Sequence, residues 1–144
     1  ATTDEVSAVV RLCNAARIAV VPQSGNTGIC GGGVAIDGRA SIILSLSRMN
    51  AIRSIDTAGR TAIVEAGVIL ETLQNRVLED GLIFPLMFGA KGSCMIGGNL
   101  STNAGGANVV RYGNTRELCL GIEAVLADGS VIHALTGLRK DNTG

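Results

Sequence analysis

A chain of 144 residues, 47% apolar and 17% charged, is long enough to bury a core and too apolar to be disordered. Twelve basic residues balance twelve acidic ones, and only Tyr112, Phe84 and Phe88 are aromatic, so the charge and stacking surfaces that nucleic acid requires are missing, as is the positive surplus an anionic membrane attracts. No apolar run approaches the roughly 18 residues of a bilayer span, no basic-then-apolar leader opens the chain, and one histidine with four dispersed cysteines gives no metal-binding spacing.

The chain opens inside a helical pattern without an initiator Met. Thr3 is the predicted cap, Asp4 and Glu5 suit the positive helix end, and Val6, Val9, Val10 and Cys13 form the apolar stripe. A β-branched strand from Ile18 to Val21 follows, closed by Pro22. It runs into a glycine-rich stretch, Pro22-Gln23-Ser24-Gly25-Asn26-Thr27-Gly28, which continues to Gly31-Gly32-Gly33. Residues 34–38 are predicted to turn into strand. Ser41 to Leu46, Ile52 to Asp56 and Arg60 to Glu65 read as further strands. Ile69 to Leu78 reads as a helix with Leu70, Leu73 and Val77 on one stripe, stopped by Asp80-Gly81.

Leu82 to Pro85 reads as a brief extended piece. Met87 to Gly113 shows almost no periodicity beyond a short helix from about Gly97 to Asn103, and a loop region of that length in a small domain is usually functional. It holds two more glycine clusters, Gly89 to Gly98 and Asn103-Ala104-Gly105-Gly106. Leu120 to Ala127, the Asp128-Gly129 turn and Ser130 to Ala134 read as a β-hairpin. Asp141-Asn142-Thr143-Gly144 is turn-like and breaks off. The element order predicts one α+β domain over residues 1–144, with antiparallel pairing, cut from a longer chain, with any targeting segment outside it.

Twenty glycines, about twice the usual share, set among Ser, Thr and Asn rather than Lys or Arg, let the backbone approach a ligand and turn its N–H groups inward. Three such loops predict a long anionic ligand held by main chain, and a dinucleotide fits that description. The Rossmann fingerprint fails: Gly25, Gly28 and Gly31 have the wrong spacing and open no helix. Lys91 precedes Gly92-Ser93 in the wrong order for a phosphate-binding P-loop, and no nucleophile-elbow or kinase signature is present. What remains is a pyrophosphate held by N–H groups of residues 23 to 28, with Ser24, Asn26 and Thr27 adding side-chain donors. Cys13 and Cys119, the latter entering a strand, read as buried small hydrophobes. Cys30 and Cys94 lie in the loops, where packing is the plainer role. Lys91 reads as a solvated lysine rather than a phosphate contact, and His133 as an exposed hairpin residue.

The strings Pro22 to Gly28, Gly89-Ala90-Lys91-Gly92-Ser93-Cys94-Met95-Ile96-Gly97-Gly98-Asn99, Ser101-Thr102-Asn103-Ala104-Gly105-Gly106, Arg111-Tyr112-Gly113 and Leu138 to Gly144 resemble the FAD-binding domain of the vanillyl-alcohol oxidase/p-cresol methylhydroxylase family. The Gly89 to Asn99 and Leu138 to Gly144 strings are most similar to its D-2-hydroxyglutarate dehydrogenase branch, beside D-lactate dehydrogenases and the FAD subunit of glycolate oxidase. The resemblance implies an α+β fold of two subdomains with mixed and antiparallel sheets. FAD would lie between them, its pyrophosphate on Pro22, Gln23, Ser24, Gly25, Asn26, Thr27 and Gly28, with Gly32 close by. It implies that Gly92, Ser93, Ile96, Gly97, Gly98 and Asn99 wrap the adenosine and pyrophosphate side, with Pro85, Gly89 and Ala90 also among the cofactor-binding residues. Thr102, Asn103, Ala104, Gly105 and Gly106 would lie along the ribityl chain and ring edge, braced by residues 111–113.

Where some members attach flavin through a histidine in the first loop, this chain has Asn26, which predicts dissociable FAD. The implied parent oxidises a D-2-hydroxy acid to the 2-keto acid by hydride transfer to flavin N5, passing electrons to a separate acceptor, in the cytoplasm or mitochondrial matrix. Base and substrate-clamping groups would come from a substrate domain outside this chain, so the fragment alone would bind FAD without turnover. The alternatives are a family member with other chemistry, such as an alcohol oxidase or a non-redox ether-lipid synthase, and a plain interaction module.

Overall fold

The computed structural model describes residues 1–35 and 38–137. The first helix, α1 (Thr3–Ala15), is capped by Thr2 and not by Thr3. The Thr2 hydroxyl accepts from the Glu5 N–H at 3.2 Å, and the Glu5 carboxylate accepts from the Thr2 N–H at 2.9 Å. This reciprocal box satisfies an orphan helix donor and fixes the register between two adjacent threonines. Thr3 is thereby free to donate to the Glu123 carboxylate. On the predicted stripe Cys13 is buried and the valines are half-buried, while Ser7 is buried as well.

Strand β1 (Ala19–Gln23) lies parallel to β2 (Ser41–Ser45), with Ala19 opposite Ser41 and Gln23 opposite Ser45. The element order alone points to antiparallel pairing, whereas the family resemblance implies mixed and antiparallel sheets, and this pair is parallel. Here residues 24–40 supply the long crossover that parallel neighbours require. Pro22 sits inside β1 rather than closing it. The Ala19 N–H donates to the Ala40 carbonyl and the Gln23 carbonyl accepts from Leu46, so residues 19, 21 and 23 face β2 and Pro22 faces outward, where no ladder bond is lost. Val34, Ala35 and Gly38 are not strand, because the predicted extension only begins at Ser41; residues 36 and 37 lie outside the described set.

Strands β3 (Ile52–Asp56) and β4 (Thr61–Val64) pair antiparallel with a register shift between Ile52 and Ser54. Helix α2 (Leu70–Glu79) carries the predicted stripe, with Leu70, Leu73 and Val77 all buried, and stops at Asp80-Gly81. Among the described residues the main apolar cluster is built on this stripe, with Val68, Leu86, Cys94 and Ile96 packed against it. Residues 82–88 form an extended segment without strand pairing. Gln74 ties it to α2, its amide donating to the carbonyls of Phe84 at 3.1 Å and Leu86 at 2.6 Å.

The predicted short helix is present as α3 (Ile96–Ser101). Two pieces escape sequence reading, α4 (Val109–Tyr112) and a 3-10 turn (Thr115–Leu118), since four residues are too few to display a helical period. The hairpin β5 (Ile122–Val125) and β6 (Val131–Ala134) is antiparallel as predicted, with Gly129 at φ 82 in its turn. Cys119 does not enter a strand. It is half-buried after the 3-10 turn, its thiol donating to the Gly121 carbonyl. Glu123 joins the hairpin to the rest, meeting Thr3, His133 at 3.1 Å and Arg53 at 4.0 Å.

Candidate functional site

The first glycine loop leaves β1 at Gln23, whose amide donates to the Gly33 carbonyl at 2.9 Å and folds the loop back on itself. Asn26 takes the left-handed conformation at φ 50, which Asn tolerates better than most residues. Among the described residues, no N–H group from 24 to 30 meets an acceptor. Residues 26–30 are exposed, so this is a row of solvent-accessible main-chain donors without partners among the described residues. Such a row is a concavity for an anion.

The second loop turns tightly on Ala90, whose carbonyl accepts from Ser93 at 3.0 Å and Cys94 at 2.8 Å. Two of its carbonyls point at α2: Cys94 accepts from the Leu70 N–H and Lys91 from the Glu71 N–H, each at 3.0 Å. Helix α2 has no side-chain cap on Ile69, so this loop does the capping. Lys91 is not simply solvated, since its ammonium pairs with Glu71 at 2.9 Å.

The two loops touch where side chains are absent. A Cβ on Gly25 would lie 2.1 Å from the Ser93 carbonyl oxygen and 2.9 Å from Cys94 Cα. One on Gly98, in the first turn of α3, would lie 3.0 Å from Ser24 Cβ. By contrast, among the described residues no atom comes within 4 Å of the Cβ positions of Gly28, Gly32 and Gly89. The floor of the site is closed by glycine contacts and its mouth is open. Free amides over such a floor fit the pyrophosphate of a dinucleotide, whose charge they neutralise without a lysine.

Other candidate residues hold the site from beneath. Ile96 and Asn99 are buried, and the Asn99 amide donates to the Cys94 sulfur at 3.6 Å. Burial pushes the Cys94 thiol upward from its ordinary value, which keeps it neutral and unreactive. Gly97 packs on Ala66. The Pro85 carbonyl accepts from the Asn108 amide at 3.0 Å. In the third cluster Thr102 donates to the Gly98 carbonyl at 2.9 Å, and the Asn103 side chain accepts from the Arg116 N–H at 3.0 Å. The Ala104 carbonyl accepts from Thr115 through both its N–H and its hydroxyl. These polar groups already have partners within the chain, and Thr102 and Gly105 are the exposed members of the cluster. The Arg111 guanidinium stacks over Tyr112 at 5.1 Å. The string Leu138 to Gly144 lies outside the described residues.

Sequence reasoning missed the turn 66–68 and Glu71. The Ala66 and Val68 carbonyls accept the first N–H groups of α3, from Gly97 at 2.8 Å and Ile96 at 2.9 Å, and so aim that helix at Ser24. The signal was Gly67 just beyond the end of β4: its Cβ would meet the Leu46 carbonyl oxygen at 2.1 Å. A cavity of about 320 Å³ adjoins the first loop, lined by β1 from Ala19 to Pro22 with Gly31, Gly32 and Arg39. It lies beside residues 23–28 rather than over them, and the unpartnered amides define the site better than that cavity does.

Residues 1–135 match the sequence model of the family described as FAD binding domain. The chain is 51% identical over 143 residues to the probable mitochondrial D-2-hydroxyglutarate dehydrogenase of Oryza sativa subsp. indica, covering 99% of this chain and 25% of that protein. It is 50% identical over 143 residues to the mitochondrial D-2-hydroxyglutarate dehydrogenase of Bos taurus, covering 99% and 26% respectively. The chain therefore spans about a quarter of the length of these relatives. Its fold matches a solved alkyldihydroxyacetonephosphate synthase with a TM-score of 0.82 at 20% identity, over 96% of this chain and 26% of that one.

Proposed function

Because the chain belongs to the family of FAD binding domains, we propose that it is the cofactor-holding part of an enzyme that oxidises a D-2-hydroxy acid to the 2-keto acid. The observation that carries the substrate class is the 50% identity, over nearly the whole chain, to a protein named for D-2-hydroxyglutarate. The synthase of similar fold shares too few residues to carry its chemistry across.

In this reading the free amides of residues 24–28 hold the pyrophosphate, and Ser24, Asn26 and Thr27 add short polar groups. The second loop, with α3, supplies the wall against which the first loop is seated. Residues 102–106 lie toward the ring, with Gly105 and Gly106 as the backbone of closest approach. When bound, FAD supplies a two-electron acceptor. The chain's own residues orient it and exclude side chains from its path. Neither a histidine nor a basic cluster lies in the three loops, so the base and the carboxylate-binding groups belong to the remainder of the polypeptide. A separate acceptor reoxidises the enzyme. The relatives are named mitochondrial, which supports a mitochondrial location, and this reading places the enzyme in the matrix. In this reading FAD is held without a covalent bond: Asn26 stands where some family members carry the linking histidine, and of the two loop thiols Cys94 is buried and the exposed Cys30 stays unlinked.

The test uses the full-length polypeptide that carries these residues. Mixed anaerobically with D-2-hydroxyglutarate, D-lactate or glycolate, it should lose its visible flavin absorbance with at least one, and keep it with L-2-hydroxyglutarate. A flavin-loaded protein that no D-2-hydroxy acid bleaches would overturn the substrate class and leave FAD binding standing. Acid precipitation should send all the flavin into the supernatant, and a yellow pellet would refute dissociable FAD.

A further inference from the structure

Lys91 is the one cation within the glycine loops, and a loop lysine beside a pyrophosphate invites the role of phosphate contact. The structure gives its charge another partner. The Lys91 ammonium lies 2.9 Å from one Glu71 carboxylate oxygen, and the other oxygen would lie 3.2 Å from a Cβ on Gly92. The Glu71 N–H donates to the Lys91 carbonyl at 3.0 Å, and the neighbouring Leu70 N–H donates to the Cys94 carbonyl at the same distance. Glu71 is in the first turn of α2, where a carboxylate is favoured by the helix dipole. It therefore holds the tip of the second loop by main chain and side chain together. The atoms held next, the Ser93 carbonyl and Cys94 Cα, are those on which Gly25 of the first loop rests.

We propose that Glu71 is a positioning residue for FAD: its clasp on Lys91 sets the second loop, and through it the seat of the pyrophosphate loop, while Lys91 itself makes no phosphate contact. The inference rests on FAD as the ligand of this site. The two roles of Lys91 predict opposite signs for one substitution. If Lys91 reached phosphate, removing the competing charge with Glu71→Gln would tighten FAD binding. If the pair positions the loop, the same change loosens it.

The experiment measures the FAD Kd of the apo form of the full-length protein by quenching of flavin fluorescence, for wild type, E71Q, K91M and the double variant. The clasp predicts that each single change raises Kd about three- to fivefold, the range open to a partly exposed ion pair. The double variant should be no worse than the weaker single one, because both remove the same interaction. E71D should fall between wild type and E71Q. Added salt should narrow the gap between wild type and the variants, since an exposed pair is screened. Melting of the apo variants close to wild type separates loop positioning from general loss of structure. Tighter FAD binding by E71Q, or K91M and E71Q effects that simply add, would overturn the proposal, as would variants indistinguishable from wild type. A wild type that takes up no FAD would overturn the functional reading as well.

Discussion

At Gly25 a single added methyl would overlap the Ser93 carbonyl, an obstacle of backbone that cannot rotate away. Gly25→Ala must therefore part the two loops, at a cost of about 1–3 kcal/mol for overpacking, and should weaken FAD binding together with apo stability. Gly28→Ala adds its methyl to open space, so apo melting should be unchanged and any loss of FAD affinity reports the ligand directly. Measuring Kd and Tm for both separates floor from mouth; equal effects in the two variants would refute that geometry. Glu65 ties stability to pH. The Ala51 N–H, and then the Arg53 guanidinium, hold its carboxyl below the ordinary carboxylate range. A depressed folded value means stabilisation that is present above the unfolded pKa and is lost as pH falls through the folded one. Between about pH 5 and 3 the wild type should thus lose stability more steeply than Glu65→Gln, measured by urea midpoints across that range. The first loop's donors were legible in the sequence at this scale. The polar side chains of residues 99, 102 and 103 looked equally available, but the sequence cannot say that Cys94, Gly98 and Arg116 already engage them.

Helix α2 is the element on which both core and site depend. Its apolar stripe was plain in the sequence because Leu70, Leu73 and Val77 repeat at helical spacing, and all three are buried. Its cap was not, because the acceptors, Lys91 and Cys94, come from a loop far along the chain rather than from a Ser or Asp beside it. Leu70 is fully buried at the junction of the two, so Leu70→Ala should cost about 2–5 kcal/mol in urea unfolding and should also loosen FAD. A loss confined to stability would show that the helix end and the loop are not mechanically joined. The parallel pairing of β1 with β2 was hidden for a different reason. Strand direction is set by what the chain between the strands does, and the described residues 24–35 and 38–40 hold no helix, so no helical crossover announced it. Pro22 misled in the same way: as a strand breaker it is right only where the N–H would have faced a partner.

At the scale of the molecule, the C-terminal hairpin is docked on the N-terminal helix by polar contacts. The Ser7 hydroxyl donates to the Gly129 carbonyl at 2.5 Å, with the Arg11 guanidinium at 3.4 Å from the same oxygen. Ser7 is buried, so Ser7→Ala leaves that carbonyl short of a donor and should cost about 1–2 kcal/mol in apo unfolding, with little change in FAD affinity, since the contact lies outside the three loops. A large change in affinity would mean that hairpin docking and cofactor binding are coupled. The capping of α2 by the second loop has a consequence of another kind. Deuterium uptake at the Leu70 and Glu71 amides depends on how long the Cys94 and Lys91 carbonyls stay in place, so those two amides are a built-in clock for the ordering of the loop. Cofactor loading should slow their exchange beyond that of Leu73 and the following turns, whose partners lie within the helix itself.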